Sequence, residues 1–315
     1  MTSPPALHPQ VQALIDAWAQ DGKGDLTVAP DLQALRAGYL DTALRLGGAA
    51  EEVAEVQDVV LPRDEARVPA RLYRPRVPAP VAGAIVWLHG GGWVMGDLDG
   101  FDRVCRALCN AAGHAVLSVD YRLAPECCFP AGVQDADAAV RWARAEGAQR
   151  LGCGADRILV GGDSAGGNLA AVAALHARHD GLPPLRGQLL VYPALDPGMA
   201  GAAYHQFCDG PGLTRTEMEL CWRTYLGAAD PADPDAAPLG ADVAGAPPAA
   251  IALAGIDPLR DDGARYAQRL RDAGVPVELE VYDDMIHGFL RWGGVVDRAH
   301  ELIRWLADRS RALLA

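Results

Sequence analysis

The 315-residue sequence predicts an α/β fold, a mostly parallel eight-stranded sheet flanked by helices. Three observations carry that expectation. Beyond residue 55 the chain holds eight short β-branched or apolar runs. After the third run, helical patterns separate each run from the next, as parallel neighbours joined by crossovers require. Several runs, AIVWL, RILVGG, QLLVY and AAIALAG, are apolar almost without interruption, the pattern of strands buried on both faces of a sheet.

Before any strand, Val11, Leu14, Ile15 and Trp18 share one helical face, a Gly-Lys-Gly break follows, and a second helical pattern runs from about residue 31 to 46. Strands are then expected at 56–61, 67–73, 84–88, 115–121, 157–160, 188–192, 249–254 and 277–282. Helices are expected at 101–112, 132–145, 165–178, 263–272 and 295–314. Residues 196–248 break the rhythm: no strand is readable, one helical pattern lies near 216–226, and AADPADPDAAP reads as a surface connection. A structureless loop of that length is improbable inside a compact domain, so the stretch reads as an inserted segment. The expected organisation is an N-terminal helical segment over 1–50 and an α/β domain over 51–315, with 196–248 joining the first in a cap.

Composition narrows the function. Half the residues are hydrophobic and 22% are charged, an ordinary globular balance. A chain of this size buries roughly three-quarters of its unfolded surface, enough for a large core without staples. Lys and Arg number 28 against 41 Asp and Glu, a net charge of −13, with no local basic run. Nucleic acid and anionic membrane surfaces need clustered Lys and Arg, so neither is an expected partner. Seven cysteines at unrepeated spacings, with no Cys-x-x-Cys and no His at ligand spacing, argue against a disulfide scaffold and against zinc. The first residues lack the basic start of a signal peptide, and no stretch approaches the roughly 20 apolar residues of a membrane span. A cytoplasmic protein without membrane insertion is expected.

The fifth run passes straight into Gly161-Gly162-Asp163-Ser164-Ala165-Gly166-Gly167, and a helical pattern begins at once. Gly-x-Ser-x-Gly between strand and helix forces a sharp turn that strains the serine and turns its Oγ outward. The new helix also aims its free N–H groups at that point. Ser164 is therefore the candidate nucleophile.

Such a serine needs a base, and the base an orienting acid. Of eight histidines, His8 lies in the leader, His176, His179 and His300 sit in helical patterns, His114 reads as a turn residue and His205 falls in the insert. The imidazole of His287 follows the last alternating run in a short loop starting at Asp284, at the carboxyl end of the sheet. It is the candidate base. Asp257 ends the seventh run at the corresponding edge. Asp261 and Asp262 compete but read as first-turn residues of the next helix, and Asp283 and Asp284 compete through closeness in sequence alone. The order Ser164, Asp257, His287 is that of the α/β-hydrolase arrangement. The third run ends in His89-Gly90-Gly91-Gly92-Trp93, where N–H groups of Gly91 and Gly92, with that of Ala165, are placed to hold a developing oxyanion. Trp93 is a candidate for the substrate pocket. Tyr121, Arg122 and Glu126 read as organisers of the turn after the fourth run, and Asp163 and His89 as structural supports.

HGGGW at 89–93, YRLAPE at 121–126, GDSAGG at 162–167, DPLRDDG at 257–263 and HGF at 287–289 occur in that order. Together they resemble the hormone-sensitive-lipase-like bacterial esterases of the α/β-hydrolase superfamily, from about residue 55 to the end of the chain. The resemblance implies Ser164 as nucleophile, Asp257 and His287 as its partners, and Gly91, Gly92 and Ala165 as the oxyanion hole. It further implies a helical cap, a short- to medium-chain acyl ester as small-molecule substrate, neither metal nor cofactor, and a homodimer through the edge strand at 277–282. A triad does not specify the bond it breaks, so amide hydrolysis, as in an arylformamidase, stays open. So does a non-catalytic small-molecule receptor on the same fold, although such receptors typically lose the histidine kept here.

Overall fold

A computed structural model describes residues 6–21, 31–63 and 66–315. Strands β1 (Glu55–Arg63), β2 (Ala66–Arg74), β3 (Ala84–Leu88), β4 (Ala115–Val119), β5 (Ile158–Asp163), β6 (Gly187–Val191), β7 (Ala249–Ile256) and β8 (Val277–Ile286) form one sheet, ordered β1-β2-β4-β3-β5-β6-β7-β8. β2 runs antiparallel to both neighbours, and every pair from β4 through β8 is parallel. Every residue of β3, β4, β5, β6 and β7 is buried, as their unbroken apolar runs require.

The described chain has ten α-helices: α1 (Pro9–Asp21), α2 (Leu32–Leu46), α3 (Asp102–Ala112), α4 (Ala131–Ala143), α5 (Gly147–Leu151), α6 (Ala165–His176), α7 (Ala203–Gln206), α8 (Arg215–Leu226), α9 (Arg260–Asp272) and α10 (Asp297–Leu314). Alternation along the strands divides the core into two layers. Val86 and Leu88 face the cluster formed with α4, α6 and α9, while Ile85 and Trp87 face that of α3 and α10.

The N-terminal helices and the insert are tied to this body by polar contacts between distant residues. From α2, Arg36 donates to the Val94 carbonyl (2.8 Å) and to both Glu126 oxygens (2.7 Å each). From α9, the buried Asp262 carboxylate accepts from the N–H groups of Leu195 (3.0 Å) and Asp196 (3.2 Å) and from the Tyr204 hydroxyl (3.0 Å). A capping box starts α8: Glu217 N–H donates to Thr214 Oγ1 and Thr214 N–H to the Glu217 carboxylate. Such a cap contributes about 1 kcal/mol, and here it sets where the helix begins inside an otherwise irregular insert.

Two boundaries differ most from the sequence reading. β8 continues through Ile286, so Asp283 and Asp284 are strand residues and the loop begins at His287. A register shift between Ala254 and Ile256 restores pairing at Ile256 and Ile286, which carries β8 beyond the alternating run. α9 starts at Arg260 rather than at 263, because Gly263 lies inside the helix, packed against Leu253. The short helices α5 and α7 have no periodic pattern and were not expected. The Gly-Lys-Gly break falls outside the described residues.

Candidate active site

Ser164 stands between the last residue of β5 and the first of α6, at φ 55° and ψ −120°. Positive φ is strained for a residue with a Cβ, and it survives where the surroundings over-determine it. Here Ser164 N–H donates to the Val191 carbonyl (2.9 Å) and its carbonyl accepts from Asn168 N–H (3.1 Å). The helix approaches β3 so closely that a Cβ on Gly166 would overlap the Leu88 carbonyl oxygen. Only glycine at 166 allows the turn to close.

At the carboxyl end of β7, Asp257 is 0% exposed. Its Oδ1 accepts from Leu259 N–H (2.8 Å), and its Oδ2 lies 2.7 Å from His287 Nδ1. On the other side of the ring, Nε2 is 2.9 Å from Ser164 Oγ. A carboxylate on Nδ1 keeps the proton on that nitrogen, which leaves the Nε2 lone pair facing the hydroxyl. The Tyr192 ring, with centroids 4.5 Å apart, packs against the imidazole. The structure thus brings together all three residues expected from the sequence.

Three of the four competing carboxylates are engaged elsewhere. Asp261 accepts from Ala203 N–H (2.9 Å), Asp262 anchors the insert, and Asp284 pairs with Arg298 (3.2 Å). The other histidines are likewise occupied or remote. His176 bridges Asp137 and Asp235 (2.8 Å each), and the hydrogen bond to Asp137 leads in pushing its pKa up to about 9. Burial pushes His89 down to about 4, so it is neutral beside the Gly90 carbonyl and stacked on Tyr121. Tyr121 in turn donates its hydroxyl proton to the His89 carbonyl (2.7 Å).

These contacts fix the glycine loop that follows β3. Asp163 Oδ1 accepts from Gly90 N–H at 2.9 Å. Burial raises the Asp163 carboxyl to about 6, against the opposing pull of the Arg291 guanidinium. The Gly91 carbonyl accepts from Val94 (3.1 Å) and Met95 (2.9 Å) N–H groups, closing the turn. Gly92, at φ 60°, sits against Cys221 of α8, leaving no room for a Cβ. Among the described residues, the N–H groups of Gly91, Gly92 and Ala165 donate to no acceptor. Of the remaining motif residues, Arg122 binds Asp135 (2.9 Å), while Glu126 reaches out to α2 through Arg36 rather than organising only its own turn.

A cavity of about 400 Å³ opens over Ser164, His287, Gly91 and Gly92. Its walls come from α1 and α2 through Trp18, Leu35 and Tyr39, and from the insert through Leu213, Met218 and Cys221. Trp93, expected in this pocket, is not in its wall. It is 1% exposed and stacked on Tyr225 at 4.3 Å, because the positive φ that ends the glycine loop turns it into the core. The wall residues of α2 and α8 escaped the sequence reading, which had no signal for the side of a helix that meets a distant loop. Arg291 escaped it too, although a lone cation in the apolar run Phe289-Leu290-Arg291-Trp292 was visible. Among the described residues, no group of three His, Cys, Asp or Glu is arranged to hold a metal, and no helix is long and apolar enough to cross a membrane.

Known proteins resemble this chain over most of its length. Residues 85–291 match the alpha/beta hydrolase fold family. The carboxylic ester hydrolase LipN of Mycobacterium tuberculosis is 40% identical, covering 94% of this chain and 81% of its own. An ethyl acetate hydrolase of Pseudomonas putida is 36% identical over 94% of this chain and 96% of its own. The solved hyperthermophilic esterase of the archaeon Pyrobaculum calidifontis, 35% identical, superimposes with a TM-score of 0.91 over 98% of this chain and 100% of its own. With the sheet order, the motif series and these relatives in agreement, the chain belongs to the hormone-sensitive-lipase-like branch of the α/β-hydrolase family.

Proposed function

We propose that this protein is a carboxylesterase in which Ser164, His287 and Asp257 act as a catalytic triad on short- to medium-chain acyl esters. The observation that carries the reading is the continuous relay from Asp257 Oδ2 through His287 to Ser164 Oγ, with contacts of 2.7 and 2.9 Å, beside three unpartnered backbone donors. His287 Nε2 takes the hydroxyl proton as Oγ attacks the ester carbonyl, and Asp257 stabilises the imidazolium that forms. Gly91, Gly92 and Ala165 N–H groups receive the oxyanion, each such donor contributing about 3 kcal/mol to the transition state. His287 then protonates the departing alcohol, and in the second half it activates water to release the acid. Protonated His287 cannot accept the serine proton, so activity falls in acid.

The same reading gives 1–50 and 196–248 the role of a cap, supported by the wall residues that α1, α2 and the insert contribute to the cavity. The outer edge of β8, where Val281 is exposed, is the surface for a homodimer, and seven unpaired cysteines suit a reducing cytoplasm. Hydrolysis of p-nitrophenyl esters from acetate to long-chain acyl, with a folded Ser164→Ala control, tests the central claim. Turnover peaking at short or medium chains and abolished in the variant is expected. No turnover by folded protein on any ester defeats it.

A further inference from the structure

Among the described residues, two arginines stand in the cavity wall. Arg45 lies toward the surface, paired with Asp41 (2.8 Å). Arg291 is 8% exposed, and its Nε and Nη1 are buried without a hydrogen-bond partner among the described residues. Taking a cation out of water is costly, so other contacts must hold it in place. Its guanidinium carbon lies 3.8 Å from the centroid of the Tyr39 ring in α2 and 5.7 Å from that of Phe101, the residue before α3. A guanidinium over an aromatic face is attracted by the ring quadrupole, the more so where water is excluded. The buried Asp163 carboxylate beside the nucleophile adds the opposite charge. The backbone ties this stack to the base. Arg291 closes the single turn Phe289–Arg291 by donating its N–H to the Gly288 carbonyl (3.2 Å), and Gly288 follows His287 directly. Phe289 and Leu290 between them are buried, and a packed segment this short passes a displacement at one end to the other. The other tie of α2, Arg36, runs to residues 94–126 and bypasses the base.

We propose that Tyr39 and Arg291 form a clamp through which α2 positions His287, so that Arg291 is a positioning residue for the base and Tyr39 its partner on the N-terminal helices. With α2 seated over the cavity, the ring holds the guanidinium and fixes the turn that carries the imidazole. Loss of the stack frees that turn, and the ring then samples orientations away from Ser164 Oγ. The kinetic part of the inference rests on the esterase reading of this cavity; the positioning itself does not.

The variants are Tyr39→Leu, Arg291→Met, the two combined, and Tyr39→Phe, which keeps the ring face; each is used once its circular dichroism matches the unmutated chain. The first readout needs no turnover. It is the low-field NMR resonance of the proton between His287 Nδ1 and Asp257, assigned by its loss in His287→Gln, whose exchange with water reports how firmly the ring is held. Tyr39→Leu and Arg291→Met should each speed that exchange about tenfold, and Tyr39→Phe should leave it close to that of the unmutated chain. If Arg291→Met does not fold, Tyr39→Leu decides alone. The second readout is kcat and KM on p-nitrophenyl butyrate. Each single variant should lower kcat about tenfold, and the combined variant should lose no more than either, because both remove one contact. Exchange unchanged in Tyr39→Leu overturns the proposal, as does a loss confined to KM or one that multiplies in the combined variant. Failure of the esterase reading would appear separately, as absence of turnover by unmutated protein, and would leave the proton-exchange result to decide.

Discussion

Replacing Asp257 by Asn tests the relay at its most buried point. Leu259 N–H donates to Oδ1 at 2.8 Å, so an amide at 257 keeps its carbonyl on that donor and turns its NH2 toward His287 Nδ1. The amide must then donate, which moves the imidazole proton to Nε2, 2.9 Å from Ser164 Oγ. The nitrogen that should accept the serine proton already holds one. Flipping the amide restores the tautomer but faces two donors at Leu259 in a site sealed from water, at a cost of about 1–3 kcal/mol. The imidazolium also loses a charged hydrogen bond, about 2 kcal/mol more. Together these raise the barrier by roughly 3–5 kcal/mol, a fall in kcat of about 10²- to 10⁴-fold. The assay is kcat on p-nitrophenyl butyrate near neutral pH, on protein whose circular dichroism and melting match the unmutated chain. A folded Asp257→Asn protein that loses less than about tenfold would refute the reasoning.

Removing Asp163 by mutation to Ala frees Gly90 N–H and loosens the loop, so kcat on neutral esters should drop about tenfold or more, while Asp163→Asn, whose amide oxygen still accepts, recovers most of it; equal loss in both variants would point to the charge instead. Because Asp137 and Asp235 raise His176 from 6.5 to about 9, its imidazolium adds stability that is complete below about pH 6.5 and fades as pH climbs toward 9. His176 is 36% exposed, so screening limits the contribution to about 1 kcal/mol, and urea melts of His176→Gln should differ from the unmutated chain at pH 6 but not at pH 9.5. Arg36→Ala cuts the tie between α2 and the segment at 94–126; faster protease cleavage near α2 and a raised KM with smaller change in kcat are expected, and an unchanged KM would remove α2 from substrate binding.

Much of this architecture was legible because the sheet is parallel and buried. Continuous apolar runs such as AIVWL and AAIALAG can hardly be anything but central strands, and the two glycine signatures mark strand ends by their backbone demands. The Ser164, His287 and Asp257 assignment followed from their places at strand ends. What stayed hidden depends on contacts between distant residues. Arg36 with Glu126, Asp262 with Tyr204, and Arg291 with Tyr39 join residues 58 to 252 positions apart, and no local period encodes such pairs. Trp93 was misplaced for a related reason: a positive φ decides which way its ring turns, and side-chain type does not reveal it. β8 ran past its expected end because a register shift is a property of two strands, not one.

The histidine that faces Ser164 is carried by the outermost strand, whereas the serine rises from the middle of the sheet. Within a single chain β5 has a partner on each side, but β8 is held by β7 alone. Sheets fray from their margins, and opening of a margin needs less free energy than opening of the whole. The two halves of the proton relay therefore sit in regions of unequal local stability. Mild denaturant should silence the chemistry before the spectroscopic signature of the sheet is lost, so that inactivation gauges the margin of the molecule and its circular dichroism gauges the centre.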